Sequence, residues 1–278
     1  MGRENGLIRF MAIDAVPGLL DKALMLLDAV VADNGDSALG AISARAGLPQ
    51  ATAYRLVGAL VGRGFLIRCE RGRYLPGPRL AAYARTVDPH AILARVATPF
   101  LRDAARRFGS IAYLGVLEGG MVTYLVKVGD GPGAHFTRQG MQLEAYCSGV
   151  GKVLLANLPD AERDEYLSQG PFVRLTANTI IDPDLLRAHL RQVRTAGFAR
   201  DDAEISEDLQ CIAVPAPGVG GAAISMSGPA GWLAGRRALS ARSALDRAAR
   251  AIAVRLGSAQ GPPGRDFTER GPTGAAAA

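Results

Sequence analysis

The sequence predicts an α+β chain of two domains: an N-terminal winged helix-turn-helix, then helices packed on an antiparallel sheet. Three observations predict it. Residues 37 to 79, SALGAISARAGLPQATAYRLVGALVGRGFLIRCERGRYLPGPR, hold two helical segments, a sharp turn and a charged hairpin in the order of a winged domain. From Ser110 onward the apolar spacing changes from helical to strand-like, with hairpins interleaved among helices. At 278 residues and 49% hydrophobic content, the chain can bury two cores. The expected bounds are 17–78 for the winged domain, 79–90 for a linker helix and 91–257 for the second domain. The remaining residues, 258–278, have too little apolar content to fold and are expected to be a disordered tail.

In the first domain, Leu20, Leu24, Leu27 and Val31 form a helical stripe over Leu19 to Ala32, stopped by Asn34-Gly35-Asp36-Ser37. A short helix from Leu39 to Ala46 leads into a Gly47-Leu48-Pro49 turn, with Leu48 at the corner and Pro49 where a helix start tolerates a missing N–H. The second helix, Gln50 to Arg63, turns Leu56, Val57 and Leu60 inward against Ile42. Its N-terminal half is the candidate DNA-reading surface. Gln50 and Arg55 suit base edges or phosphates, Thr52 either, Ala53 a thymine methyl, and Tyr54 a phosphate. Gly64 ends the helix, Phe65 to Ile67 starts a strand, and Arg68 to Tyr74 makes a hairpin whose Arg71 and Arg73 are candidate wing contacts. From Arg45 to Arg79 seven arginines face one acid, Glu70, an excess that suits double-stranded DNA.

Pro76-Gly77-Pro78 marks a boundary, and Arg79 to Val87 resumes a helical pattern until Asp88-Pro89. Ala91 to Phe108 is expected as a long helix with Ile92, Val96, Phe100, Leu101 and Ala104 on its apolar side. Ile111 to Leu117 and Met121 to Val128 form a hairpin about Glu118-Gly119-Gly120, and Phe136 with the residues around Arg138 suggests another strand. Helices follow over Gly149 to Asn157, Asp160 to Ser168 and Asp182 to Gly197. Strands Cys211 to Pro217 and Ala222 to Ser227 flank Gly218-Val219-Gly220-Gly221, and a last helix spans Leu233 to Leu256. Ser148 is placed to cap the helix at Gly149, whose first N–H groups attract a carboxylate. Ser225 and Ser227 alternate along one strand and face one side.

Composition excludes several classes. The net charge of +6 is almost wholly arginine, the only lysines being Lys22, Lys127 and Lys152. Three widely spaced cysteines, Cys69, Cys147 and Cys211, make neither a disulfide framework nor a metal knuckle and suit a reducing cytoplasm. No stretch approaches the roughly 18 to 20 apolar residues of a membrane span, and the start of the chain lacks a signal-peptide pattern. A soluble, cytoplasmic protein without metal or cofactor is expected. CSGVGK has the Gly-Lys of a phosphate loop, but Tyr146 replaces its first glycine and Val153 its Ser or Thr. His90, His135 and His189 lie in unrelated segments of the sequence and in no catalytic motif, so no enzyme is expected.

Three stretches in order, AGLPQATAYRLVGALVGRGF with GRYLPGPRL, CSGVGKVLLANL, and GFARDDAEISEDLQCIAVPAP with AAISMSGP, carry a resemblance to IclR-type bacterial transcription regulators over about residues 17 to 256. The resemblance implies a winged helix-turn-helix joined to a GAF-like effector domain, assembly as a dimer or tetramer, and binding to operator DNA. It implies an effector pocket lined by Gly149, Val150, Asp201, Leu209, Cys211, Ser225 and Ser227; the helix start there suits a small organic acid, and an aromatic acid is expected only if Tyr146 stacks on it. Tyr146 and Cys147 stand where the family commonly has His-Ala, and Glu144 where proline is common. Tyr146 fits either an aromatic wall or a core position. A redox response through Cys147 and Cys211, and a ligand-binding module that no longer reads DNA, are the alternatives.

Overall fold

The computed structural model describes residues 18–131, 137–218 and 221–257. The expected strand at Phe136, the loop histidine His135, the Val219-Gly220 turn and the tail from 258 lie outside the described residues. The chain divides between Asp88 and Pro89 into two compact units.

The first unit runs α1 (Leu19–Asp33), α2 (Leu39–Arg45), α3 (Gln50–Gly62), β1 (Leu66–Glu70), β2 (Arg73–Pro76) and α4 (Pro78–Thr86). Leu26, Val30, Leu39, Ile42, Leu48, Leu56, Val57, Leu66 and Tyr74 make its core. The inward-facing side of α1 differs from the expected stripe. Leu26 and Val30 are buried with Ala23 and Leu27 beside them, whereas Leu20 is 71% and Leu24 51% exposed. Both stripes have helical spacing, and only the packing of α2 and α3 chooses between them. Phe65 lies just before β1 rather than in it. Its ring takes the Arg79 guanidinium at 5.1 Å, and Arg79 also donates to Arg63 O at 3.2 Å, tying the start of α4 to the end of α3.

The second unit holds α5 (Pro89–Phe108), β3 (Ile111–Glu118), β4 (Met121–Val128), β5 (Gln142–Glu144), α6 (Gly149–Asn157), α7 (Asp160–Leu167), α8 (Pro183–Ala196), β6 (Ala199–Asp202), β7 (Leu209–Ala216), β8 (Ala222–Pro229) and α9 (Arg236–Arg255). The strands form one antiparallel sheet in the order β5-β4-β3-β8-β7-β6. Helices α5 and α9 cover one face, α6 and α8 the other, so β3 and β8 are buried on both sides. Ala112 and Leu114 enter the first layer while Ile111 and Tyr113 enter the second, as the two-residue strand period requires.

Three expectations are corrected here, and one strand is added. The buried stripe of α5 is Leu93, Ala97, Leu101, Ala104 and Ala105, with Val96 and Phe100 at its edge and Ile92 exposed. Arg138 is not in a strand; the strand beside β4 is Gln142–Glu144. Strand β6 had no pattern to announce it, because Ala-Arg-Asp-Asp is held by its pairing with β7, Asp201 opposite Cys211. Helix α9 starts at Arg236, and Leu233 packs in the preceding turn.

Candidate DNA-reading helix and effector pocket

Helix α3 is presented by a turn that its sequence specifies. Gly47 has φ +64°, a left-handed conformation that glycine adopts without penalty, and Leu48 N donates to Ser43 O at 2.9 Å to close the turn. Leu48 then sits buried in the corner. Gln50, Tyr54 and Arg55 are exposed, Thr52 is half-buried, and Tyr54 retains 48% of its surface. Ala53, expected to meet a thymine methyl, is instead fully buried and does not reach a base. With Leu56, Val57 and Leu60 it follows the i, i+3, i+4, i+7 spacing, which puts it on the packing face.

On the wing, Arg71 and Arg73 are exposed, and Gly72 O accepts from Leu39 N at 2.8 Å, fastening the hairpin tip to the start of α2. The arginine excess is not all available to a partner. Arg45 pairs with Asp33 and bonds Ser37 at 3.2 Å, while Arg79 is held over Phe65 and Tyr83.

In the second unit, Ser148 caps α6, its Oγ accepting from Gly151 N at 2.9 Å. Gly151 lies so close to Ala145 that a Cβ would stand 2.2 Å from the Ala145 carbonyl oxygen, which fixes glycine there. The helix start, β6, β7 and β8 converge on a cavity of about 30 Å³ lined by Ser148, Gly149, Asp201, Leu209, Cys211 and Ser227, and also by Tyr113, Tyr124, Thr137, Leu143 and Ile205. Five of the seven expected residues are thus gathered. Val150 and Ser225 are not among the lining residues. Val150 points into the core under β3, where a Cβ on Gly115 would meet it at 2.8 Å. Ser225 shares the face of Ser227, but its buried Oγ finds no hydrogen-bond partner beyond the neighbouring Cys211 thiol.

The cavity has a charged support. Asp201 is 3% exposed, and its Oδ1 accepts from Glu204 N at 2.7 Å. Burial pushes its carboxyl up to about 7, against the pull of that N–H. Lys152 on α6 is fully buried in an ion pair with Glu204. The turn carrying both acids includes Ala203 at φ +60°, and it is clamped by Thr176, whose hydroxyl donates to Ala203 O at 2.7 Å, and by Thr179, which donates to Glu204 O at 2.8 Å. Tyr146 takes the core position: it is buried, stacks on Phe172 at 4.7 Å and donates to Val173 O at 2.7 Å. Burial pushes the thiols of Cys147 and Cys211 up to about 12, which withholds the thiolate a redox sensor needs.

Residues 19–68 match the IclR helix-turn-helix domain, and residues 85–254 match the bacterial transcriptional regulator IclR C-terminal domain. The chain belongs to the IclR family. It is 28% identical over 276 residues to the HTH-type transcriptional regulator BhcR of Paracoccus denitrificans, covering 97% of each chain. It is 26% identical over 251 residues to the transcriptional repressor IclR of Escherichia coli, covering 86% of this chain and 89% of that one. Among solved structures it is similar to an IclR homolog from Microbacterium hydrocarbonoxydans complexed with 4-hydroxybenzoate, with TM-score 0.57 and 28% identity over 87% of this chain and all of the other.

As an IclR-family chain it is a transcriptional regulator and not an enzyme, with a DNA-binding helix-turn-helix and an effector domain. None of the helices among the described residues is long and apolar enough to cross a membrane. The pocket residues that sequence reasoning missed are Tyr113, Tyr124, Thr137, Leu143, Ser148 and Ile205. For Tyr113 and Tyr124 a signal existed, since each tyrosine has aliphatic neighbours along its strand and carries a hydroxyl that burial must accommodate.

Proposed function

We propose that this protein binds operator DNA near a promoter as a dimer or tetramer, with α3 in the major groove and the wing on flanking phosphate, and that a small organic acid in the cavity shifts its affinity. The convergence of Gly149, Asp201, Leu209, Cys211 and Ser227 on one cavity supports the effector half of this reading most directly. The exposed Gln50, Tyr54 and Arg55 on a turn-presented helix support the DNA half. In such an assembly the effector acts by its differential affinity for two arrangements of the winged units, changing how paired half-sites are engaged.

The test is a gel-retardation titration against DNA upstream of the protein's own and neighbouring genes, with random competitor, at about 150 mM salt, where non-specific phosphate contacts are already weakened. Specific retardation is expected, and Arg55→Ala is expected to weaken it by about 1–3 kcal/mol. Unchanged retardation by that variant means that the helix is misplaced on DNA. Folded protein that shows no preference over competitor is instead a ligand-binding module that does not read DNA.

A further inference from the structure

The positive charge of the second unit is gathered on one layer. Helices α5 and α9, which pack against each other on one face of the sheet, carry ten arginines and two acids, Asp103 and Asp246, a net charge of eight. That exceeds the +6 of the whole chain, and from Pro89 to the end of the sequence the residues outside these helices include eleven lysines and arginines against sixteen acids. The excess therefore belongs to this layer and not to an evenly basic protein. We propose that the outward face of α5 and α9 binds the phosphate backbone of double-stranded DNA without reading its sequence, a second DNA surface carried by the effector unit.

Part of the charge is held within the layer. Arg106 pairs with Asp103 and Arg242 with Asp246, while Arg237 lies 5.2 Å over Trp232 and donates to Phe108 O at 2.6 Å. Arg95, Arg102, Arg236, Arg247 and Arg250 are exposed, and none of them makes an ion pair among the described residues. Helical spacing brings them onto one surface. Leu93, Ala97, Leu101 and Ala104 bury one side of α5, which leaves Arg95 and Arg102, two turns apart, on the other. On α9, Ala241, Leu245, Ala248 and Ile252 face inward and Arg236, Ser243, Arg247 and Arg250 face outward. From Arg236 to Arg250 the stripe runs about 21 Å, the length of about six base pairs of duplex.

The chemistry of the face selects phosphate. Its cations are all arginine, whose planar fork takes phosphate oxygens bidentately, and the exposed hydroxyls of Ser240 and Ser243 suit the same oxygens. The large apolar side chains exposed on the two helices are Ile92, Leu239 and Val254, none of them the aromatic anchor on which a protein interface is built. The acids of a second copy are the competing anion. On the acidic helix α7, however, Asp160 is held by Arg163 and Arg194, and Asp164 by Arg187, so two of its four acids are already compensated within the chain. A duplex instead presents one uncompensated charge about every 1.7 Å.

The experiment is a fluorescence-anisotropy titration of a random duplex and of the upstream DNA with the full chain between about 50 and 200 mM salt. Wild type is compared with Arg102→Gln/Arg250→Gln and with a control that removes equal charge away from this layer, Arg174→Gln/Arg191→Gln. Each protein is checked by circular dichroism and sedimentation. The random duplex makes the test independent of whether α3 recognises an operator. The face variant is expected to lose about fivefold or more on both duplexes at the lowest salt, and to lower the slope of log affinity against log salt by about two, with the preference between duplexes unchanged. The control is expected to stay within about twofold of wild type. Equal losses in both variants would reduce the effect to overall charge and overturn the proposal, as would a face variant that binds DNA like wild type or a wild type that does not bind random duplex. Unchanged DNA binding with weakened self-association would assign the face to a second copy, and a changed preference between duplexes would make it a reader of sequence; either result overturns the proposal.

Discussion

The two faces of the six-stranded sheet are made by the same strands and differ in what they bury. Under α5 and α9, Leu114, Val126, Ile212, Val214, Ile224 and Met226 pack with Leu101, Leu245 and Ile252, and the buried side chains are hydrophobic, with the Trp232 N–H as a buried polar group. Under α6 and α8, one-residue alternation turns Cys211 and Ser225 inward, and Lys152, Asp201 and Glu204 are buried with them. The apolar layer stabilises the domain; the other layer gives up part of that stability to hold charge beside a cavity. The sharpest break of this contrast is Lys152→Ala, which strands Glu204 in the interior. A loss of about 3–5 kcal/mol is expected from urea melts at pH 7.5. The loss should be smaller at pH 5, because burial already raises the Glu204 carboxyl and protonation neutralises it. Equal losses at both pH values would mean that the acid is solvated once its partner is gone.

On the apolar face the comparable cut is Leu245→Ala, expected to cost about 2–5 kcal/mol by lost transfer and cavity terms. None of the buried residues described in that layer carries a group that titrates between pH 5 and 7.5, so the cost should be the same at both. A pH-dependent loss there would show that the two layers are coupled through the sheet.

Asp201→Asn sharpens the contrast from the other side. Burial raises the folded carboxyl from 3.8 to about 7, so folding favours the protonated form. That contribution is fully present below about pH 4 and is lost as pH rises through about 7. Asparagine keeps an acceptor for Glu204 N–H and does not titrate. The variant should therefore gain on wild type as pH rises from 4 to 8, ending about 1–3 kcal/mol ahead in urea melts. A difference that stays flat across this range would place the carboxyl in water.

How far each layer was legible in the sequence follows from the same physics. Strand β4 and helix α6 match their expected bounds because an alternating run between glycine turns, and a capping serine before an apolar stretch, are local signals. The stripes of α1 and α5 were misplaced because Leu20 and Ile92 sit at helical spacing yet outside the packing face, and only a neighbouring element decides which apolar stripe is covered. The same holds for Ala53, whose small side chain gives no composition cue to its burial. In the pocket, Gly149, Asp201, Leu209, Cys211 and Ser227 came from resemblance. Thr137 and Leu143 had no signal at all, because they reach the cavity through the pairing of β5 with β4 and the path of the preceding chain. Lys152 looked like the lysine of a phosphate loop, and its partner Glu204, 52 residues on, is visible only in three dimensions.

The smallest expected effect separates the two serines on one strand face. Ser225 is 1% exposed, its hydroxyl lacks an oxygen or nitrogen partner, and it does not line the cavity; Ser227, two residues on and opposite Cys211, does. Removing an unsatisfied buried hydroxyl is nearly free, so Ser225→Ala should change stability by less than about 1 kcal/mol and leave acid binding intact. Ser227→Ala should leave stability similarly unmoved, yet weaken the bound acid by about 0.5–1.5 kcal/mol, the net worth of one hydrogen bond. Calorimetry on both variants with the tightest-binding acid checks the pair. If Ser225→Ala is the one that loses affinity, its hydroxyl turns toward the ligand when the acid enters, and the line between packing and binding on this face lies one pleat further into the sheet.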